Sequence, residues 1–290
     1  MKPVEFRYHA PATLEHALDL LADTGPGAVP LAGGQSLVPQ LNARHRRPSA
    51  VIDLGGVPGL DTVAAGPAGV RIGARTRLAA VADDPLVRRR LPVLSRAALS
   101  VAHHTVRQRA TLGGSLCHAD PAAELPAVTL ALDARLVLVS RDGGERAVRA
   151  VEFFTGRHRT ALRAGELLVA VEFPPAPGFR FAFDEVTRRG AAGFPLVALC
   201  LGVTTESGVV TAARLAAAGV ADTPVRPAAV EDALRGLRLD GDLGPALDAV
   251  GTAVRPPADQ HGDARYRTAL LRALLRRCAA HLTHGKADDD

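Results

Sequence analysis

Apolar residues near the start of the chain recur at helical spacing and are followed by short strand-like runs. Leu14, Leu18 and Leu21 share one helix face, and Thr13 before them is a suitable N-cap. The sequence Gly25-Pro26-Gly27 ends the predicted helix. Apolar runs at residues 28–31 and 50–54 are typical of strands. The first sixty or so residues therefore predict a small α/β unit.

The remaining pattern divides at a proline-rich linker, residues 174–178. Before it, the pattern predicts helices at 78–84, 86–102 and 124–132, strands at 69–73, 135–139 and 166–173, and a hairpin turn at Gly143-Gly144. After it, strand-like stretches at 179–187, 194–205 and 209–217 precede two or three helices, the last at 264–282.

These elements predict an α+β chain with two domains. A domain at 1–177 contains two α/β subdomains, about 1–60 and 61–177. A second domain at 178–290 combines an antiparallel sheet with helices.

Composition excludes several function classes. Aromatic residues make up 3% of the chain with no Trp, and the net charge of +5 is dispersed, so we expect no nucleic-acid partner. Three widely spaced cysteines lack metal-ligand spacing, so we expect no metal site in this chain. We find no apolar signal core and no run long enough to span a bilayer, and we expect a cytoplasmic location.

Two diglycine segments carry the clearest functional signal. They are Ala32-Gly33-Gly34-Gln35-Ser36 and Thr111-Leu112-Gly113-Gly114-Ser115. Either alone is typical of a plain turn, but together they predict two walls of one phosphate cradle, which suits a dinucleotide pyrophosphate. We find neither a Gly-x-Gly-x-x-Gly fingerprint nor a Gly-Lys-Ser/Thr phosphate loop, which disfavours a nicotinamide or nucleoside-triphosphate site.

A wider stretch around each segment resembles a known family. Residues 31–39 with 51–54, and more specifically residues 106–127, resemble the FAD-binding medium subunit of molybdenum hydroxylases of the aerobic carbon monoxide dehydrogenase and xanthine dehydrogenase type. Weaker matches at 166–169, 224–227 and 266–267 extend the resemblance over nearly the whole chain. It implies an N-terminal FAD domain of the vanillyl-alcohol-oxidase-like, or PCMH, type. A C-terminal domain of the molybdopterin dehydrogenase flavoprotein type would follow.

The resemblance also implies a set of FAD contacts, with no catalytic side chain and no metal ligand. Backbone N–H groups of both segments, with the Ser36 and Thr111 hydroxyls, would hold the pyrophosphate. Glu124, where the family usually has Asp, would reach the adenosine ribose; Leu168 would pack on the flavin. Ser115 replaces a usual Asn. The full predicted set is Ala32, Gly33, Gly34, Gln35, Ser36, Leu37, Val101, Thr111, Gly113, Gly114, Ser115, Glu124 and Leu168.

Three residues beside the second segment admit other interpretations. His118 and Asp120 are residue types found in metal sites and in acid/base pairs, but no third or fourth ligand follows, so we interpret them as shaping the loop. Cys117 has no cysteine close in sequence, which favours a structural role over a redox role.

The resemblance implies an oxidoreductase subunit. It would pass electrons from the iron–sulfur clusters of a small partner subunit through FAD to an external acceptor, while a large molybdopterin subunit handles the organic substrate. One alternative is a stand-alone FAD-dependent dehydrogenase or oxidase on the same fold. Another is a non-catalytic binding or assembly protein, which the intact glycines and hydroxyls of both segments disfavour.

Overall fold

A computed structural model describes residues 2–188 and 194–284. The first subdomain is a three-stranded parallel sheet, in the order β1-β3-β2, flanked by two helices. The Thr13 hydroxyl accepts a hydrogen bond from the His16 N–H at 3.1 Å, which confirms the predicted N-cap. Its elements are β1 (Arg7–His9), α1 (Leu14–Thr24), β2 (Ala28–Leu31), α2 (Leu37–Asn42) and β3 (Ala50–Asp53).

The second subdomain is a five-stranded sheet covered by helices. Its strand order is β4-β5-β10-β6-β7, and every neighbouring pair is antiparallel. The strands are β4 (Val63–Gly66), β5 (Gly69–Gly73), β6 (Arg135–Ser140), β7 (Gly144–Arg149) and β10 (Leu167–Phe173), with a small hairpin of β8 (Phe154–Gly156) and β9 (Arg159–Thr160). The helices are α3 (Leu78–Asp83), α4 (Pro85–Arg90), α5 (Pro92–Ser100), α6 (His104–Arg107), α7 (Leu112–His118), α8 (Glu124–Ala131) and α9 (Ala150–Phe153).

Two local predictions in this subdomain are wrong. The single helix predicted at 86–102 is two helices, α4 and α5, because Pro92 cannot donate to the preceding turn and moves Leu91 out of the helical conformation. The second diglycine segment is not a loop but the first turn of α7. Thr111 makes this possible, since its hydroxyl accepts from the Gly114 N–H at 3.1 Å and caps the helix.

The C-terminal domain places an antiparallel three-stranded sheet between two apolar layers. One face of the sheet packs under α10–α12, while Phe183, Ala198, Cys200, Ala216 and Ala218 on the other face join the core of the second subdomain. Its elements are β11 (Arg180–Thr187), β12 (Pro195–Glu206), β13 (Val209–Ala218), α10 (Ala228–Leu234), α11 (Gly244–Ala253) and α12 (Ala264–His284).

Helix α8 lies at the junction of the two domains. All eight of its residues are buried, including Glu124 and Thr129. A helix that is apolar on every side has no solvent face, and α8 accordingly packs between α5 and the strands β12 and β13. The C-terminal sheet therefore covers a helix of the N-terminal domain.

Among residues 2–188 and 194–284, none of the helices is long and apolar enough to cross a membrane.

A buried arginine ties α12 to the C-terminal sheet. Arg267 Nη1 donates to the carbonyl oxygens of Leu196 at 2.6 Å and of Gly219 at 3.2 Å. Its Nη2 lies 2.8 Å from Asp259 Oδ2. One buried guanidinium thus satisfies two main-chain acceptors and pairs with a partly exposed carboxylate.

We expect Arg267→Met to lower the free energy of unfolding by about 2–5 kcal/mol, because it leaves buried carbonyl groups without a donor. Arg235→Met is the matched control, since its ion pair with Asp232 at 2.8 Å is exposed. Urea unfolding of both variants measures the difference. Equal midpoints would show that Arg267 does not stabilise the domain.

Candidate cofactor site

A cavity of about 650 Å³ opens between the two N-terminal subdomains and the C-terminal sheet. Its volume is in the range of small-molecule and cofactor pockets. Arg188 and Pro195, at the ends of β11 and β12, contribute to its lining. All thirteen predicted contact residues line this one cavity: Ala32, Gly33, Gly34, Gln35, Ser36, Leu37, Val101, Thr111, Gly113, Gly114, Ser115, Glu124 and Leu168.

One glycine in each diglycine segment permits a close main-chain contact beside the cavity. A Cβ on Gly33 would lie 2.1 Å from the carbonyl oxygen of Arg109, just before the second segment. A Cβ on Gly113 would lie 2.7 Å from the carbonyl oxygen of Ala74, after β5. No L side chain fits at either distance, so Gly33 lets the first segment approach the second one, and Gly113 lets the second segment pack against the end of β5.

The first segment presents a run of unpaired main-chain donors. From Ala32 to Ser36, none of the N–H groups forms a hydrogen bond with a residue that the structure describes. Gly34 has a φ of +72°, the left-handed conformation that lets neighbouring N–H groups converge. Gln35 Nε2 donates to the Gly33 carbonyl at 3.2 Å, which supports the turn. Unpaired N–H groups and a glycine at positive φ are features of loops that can bind anions.

The second segment differs from the prediction, because its main-chain donors are already used within the protein. The N–H groups of Leu112 and Gly113 bond to the carbonyls of Thr76 and Ala74, at 3.0 and 2.7 Å. Those of Gly114 and Ser115 bond to the hydroxyl and the carbonyl of Thr111. The segment therefore offers the cavity its hydroxyl groups instead. The Thr111 hydroxyl accepts from Gly114, so its own hydrogen stays available to donate.

Glu124 is a buried carboxyl group at the first position of α8. It is 4% exposed and lines the cavity. Its pKa is raised to about 8, mainly by burial and less by the nearby carboxyl groups of Glu185 and Asp120, while a backbone hydrogen bond acts in the opposite direction. At neutral pH Glu124 is therefore mainly protonated and can both donate and accept a hydrogen bond, as a vicinal diol requires.

The neighbours of Glu124 do not form a metal site. Asp120 accepts from the Ala122 N–H at 2.9 Å and shapes the turn before α8. The His118 and His158 rings lie 4.7 Å apart, and burial lowers the pKa of His118, with a further lowering by His158. Across residues 2–188 and 194–284, no three His, Cys, Asp or Glu side chains are grouped as ligands. Burial raises the pKa of Cys117 to about 12, so its thiol stays protonated.

Apolar side chains line other parts of the cavity. Leu168 belongs to β10 at a register shift opposite β6, and Val101 follows α5. Arg107 fixes the Val101 turn, since its Nη1 donates to the carbonyls of Val101 at 3.0 Å and Ala102 at 2.7 Å.

Several lining residues were not predicted. Arg46, Arg163 and Arg188 bring positive charge to the cavity from three separate segments, and His158 reaches it from the β8–β9 hairpin. None stands in a recognisable motif, and only the fold brings them together. Arg46 forms no ion pair with a carboxylate of the described residues, so its charge favours an anionic ligand.

The donors and charges of the cavity fit a dinucleotide. A diphosphate would be suited by the five unpaired N–H groups, the nearby hydroxyls and the guanidinium of Arg46, which has no carboxylate partner among the described residues. Glu124 suits a ribose, and Leu168 suits an apolar ring.

Comparison with known proteins agrees with a dinucleotide cofactor. Residues 4–176 match the model of the FAD binding domain in molybdopterin dehydrogenase, and residues 181–282 match the CO dehydrogenase flavoprotein C-terminal domain.

The chain belongs to the FAD-binding medium-subunit family of the molybdopterin dehydrogenases. The resemblance stated from sequence is confirmed: FAD is the cofactor of this family, and its members are oxidoreductases.

Similar proteins match over nearly their whole length. The chain is 39% identical to the 6-hydroxypseudooxynicotine dehydrogenase complex subunit alpha of Paenarthrobacter nicotinovorans, over 98% of this chain and 96% of that protein. It is 34% identical to the carbon monoxide dehydrogenase medium chain of Hydrogenophaga pseudoflava, over 96% and 97%. A solved structure of carbon monoxide dehydrogenase from the same organism superposes with a TM-score of 0.92 at 34% identity, covering 97% of this chain and 98% of that one.

The raised pKa of Glu124 predicts a pH dependence of the FAD-free protein. Between pH 4.5 and 8 the folded state keeps a proton that the unfolded state releases, so stability falls as pH rises through this window. We expect Glu124→Gln to remove that slope and to gain about 1–3 kcal/mol over the parent chain between pH 5 and pH 8. Urea midpoints across this range measure it. Glu152→Gln, at an exposed position, is the control, and parallel curves for Glu124→Gln and the parent would contradict the prediction.

Proposed function

We propose that this chain is the FAD-binding electron-transfer subunit of a molybdenum hydroxylase complex. It receives electrons from the iron–sulfur clusters of a small partner subunit and passes them to an external acceptor. One observation carries the cofactor part of the proposal: residues 32–36 line the same cavity as all the other predicted contacts, and their N–H groups have no partner among the described residues. The family match supports the subunit part.

Each wall of the cavity has a proposed role. The N–H groups of Ala32–Ser36 hold the diphosphate, and the Ser36, Thr111 and Ser115 hydroxyls donate to it from both sides. Glu124 bonds to the adenosine ribose. The predicted contacts with apolar side chains, Leu37, Val101 and Leu168, pack against the rings.

FAD supplies electron-transfer chemistry that side chains lack, because it takes up electrons singly or in pairs. The chain's own residues bind and orient the cofactor and need no nucleophile or general acid. We propose that a molybdopterin large subunit and an iron–sulfur small subunit complete the complex. Relatives named as a complex subunit and a medium chain support this assembly.

We also propose a domain boundary between residues 177 and 178, with subdomains meeting near residue 60. The family matches at 4–176 and 181–282 support the first boundary, and the separate parallel and antiparallel sheets support the second. A reducing, cytoplasmic compartment suits the three free cysteines.

Two glycine substitutions test the cradle. We expect Gly34→Val and Gly114→Val each to weaken FAD binding at least about tenfold, because a branched side chain strains the positive φ of Gly34 and displaces the Thr111 cap at Gly114. Gly66→Val is the control, since a Cβ there meets open space. Calorimetric titration with FAD measures the affinities, and unchanged binding in both site variants would rule out the cradle.

A second test concerns the cofactor content and the activity of the isolated chain. We expect one non-covalent FAD per chain, released by denaturation and preferred over FMN, because the cavity addresses a diphosphate. Dithionite should bleach the bound cofactor, while the isolated chain should oxidise no organic substrate. Absorbance spectra and turnover assays measure both. A chain that binds no FAD would overturn the cofactor assignment, and turnover by the pure chain would favour a stand-alone enzyme.

A further inference from the structure

Helix α8 connects the cofactor cavity to a half-buried ionic network at the junction with the C-terminal domain. Glu124 begins the helix at the cavity, and Asp133 lies two residues after its end. The eight residues of α8 span about 12 Å at 1.5 Å per residue. Because the helix is buried on all sides, a displacement at one end moves the other.

Asp133 pairs with two arginines of the other domain. Its Oδ1 accepts a hydrogen bond from Arg226 Nη1, and its Oδ2 lies 3.2 Å from Arg214 Nη1. The backbone of Asp133 has a φ of +52°, which Asp and Asn adopt more readily than most residues. The carboxylate is therefore aimed across the domain boundary by the turn that ends α8.

Both arginines are themselves fixed within the C-terminal domain. Arg226 Nε donates to Glu231 Oε1 at 2.6 Å, and the same oxygen accepts from the Leu215 N–H of β13 at 2.7 Å. The Arg214 guanidinium lies 4.3 Å from the centroid of the Phe179 ring. Neither cation can follow Asp133 if α8 shifts.

A main-chain contact secures the turn before α8. The Gly219 N–H donates to the Pro121 carbonyl at 2.7 Å, close to Asp120 and Glu124. A Cβ on Gly219 would lie 2.1 Å from the Leu196 carbonyl oxygen, so this contact requires glycine. The C-terminal domain thus holds α8 at both ends.

We propose that Asp133, held by Arg226 and Arg214, is a positioning residue that sets where Glu124 stands in the cofactor cavity. The C-terminal domain thereby controls FAD affinity through α8, without Asp133 itself contacting the cofactor. This inference rests on the proposed role of Glu124 toward the ribose.

A double-mutant cycle tests the inference, with FAD as the probe and the full chain as the protein. We expect Asp133→Asn, which keeps the left-handed turn but removes the charge, to weaken FAD binding about tenfold, or about 1.4 kcal/mol. In a Glu124→Ala background the same substitution should change affinity less than about twofold, because its effect passes through Glu124. Flavin fluorescence titration measures all four affinities.

Asp222→Asn is the matched control. Asp222 also forms an ion pair between the domains, with Arg157 at 3.4 Å, but both side chains are exposed. We expect this control to change FAD affinity less than about twofold in either background. Circular dichroism in the flavin bands should report an altered cofactor environment for Asp133→Asn and not for Asp222→Asn.

The outcomes separate the alternatives. Equal losses from Asp133→Asn with and without Glu124 would show a general structural role and overturn the inference, as would unchanged affinity. If Asp133→Asn does not fold, Arg226→Lys replaces it, because lysine keeps the positive charge but loses the forked contact of the guanidinium. The double-mutant cycle with Glu124→Ala is then repeated with Arg226→Lys and judged by the same expected affinities. A parent chain that binds no FAD would instead overturn the proposed function.

Discussion

The cofactor cavity depends on a close approach of main chains that leaves no room for a side chain. Gly33 lies against the Arg109 carbonyl, and Gly113 lies against Ala74. The first contact brings the first diglycine loop against the residues that lead into α7, and the second packs the start of α7 against the end of β5. A Cβ on Gly33 would push the first loop away from the second subdomain, and a Cβ on Gly113 would push α7 away from Ala74.

The second segment contributes differently from the first, although their sequences look alike. Its N–H groups serve the capping of α7 and the contact with residues 74–76, which leaves its hydroxyls for a ligand. The same residue types therefore perform two tasks: one diglycine forms an open concave loop, and the other allows a helix to start against a neighbouring strand. Whether a glycine pair binds or packs is decided by the partners of its N–H groups.

The domain junction shows how specificity is obtained at the cost of buried charge. Asp133, Arg226, Arg214 and Glu231 form a network in which each charge has an opposite partner. Such networks add little net stability compared with apolar packing. Here the ion pairs add directional contacts to the apolar packing between α8 and the C-terminal sheet.

Much of the fold could be predicted from local patterns. The capped helix α1, the hairpin at Gly143-Gly144 and the antiparallel C-terminal sheet follow from spacing and turn residues, which act over a few positions. The break between α4 and α5 is marked in the sequence by Pro92, but the helical spacing of apolar residues on both sides of it predicted one continuous helix. The short strand β1 is exposed and carries no apolar signal, so pattern alone could not reveal it.

All thirteen predicted contacts line the cavity: glycine pairs and hydroxyls in consecutive positions indicated the two segments, and the family resemblance added the isolated positions Val101, Glu124 and Leu168. The tertiary structure was needed for everything that depends on distant partners. It assigned the free N–H groups to one segment and the bonded ones to the other, brought Arg46, Arg163 and Arg188 to the cavity, and buried Glu124 under the C-terminal sheet. Hydrogen bonds between distant residues, the removal of a side chain from water and the gathering of distant charges all require separate segments to meet. No local sequence pattern therefore predicts them.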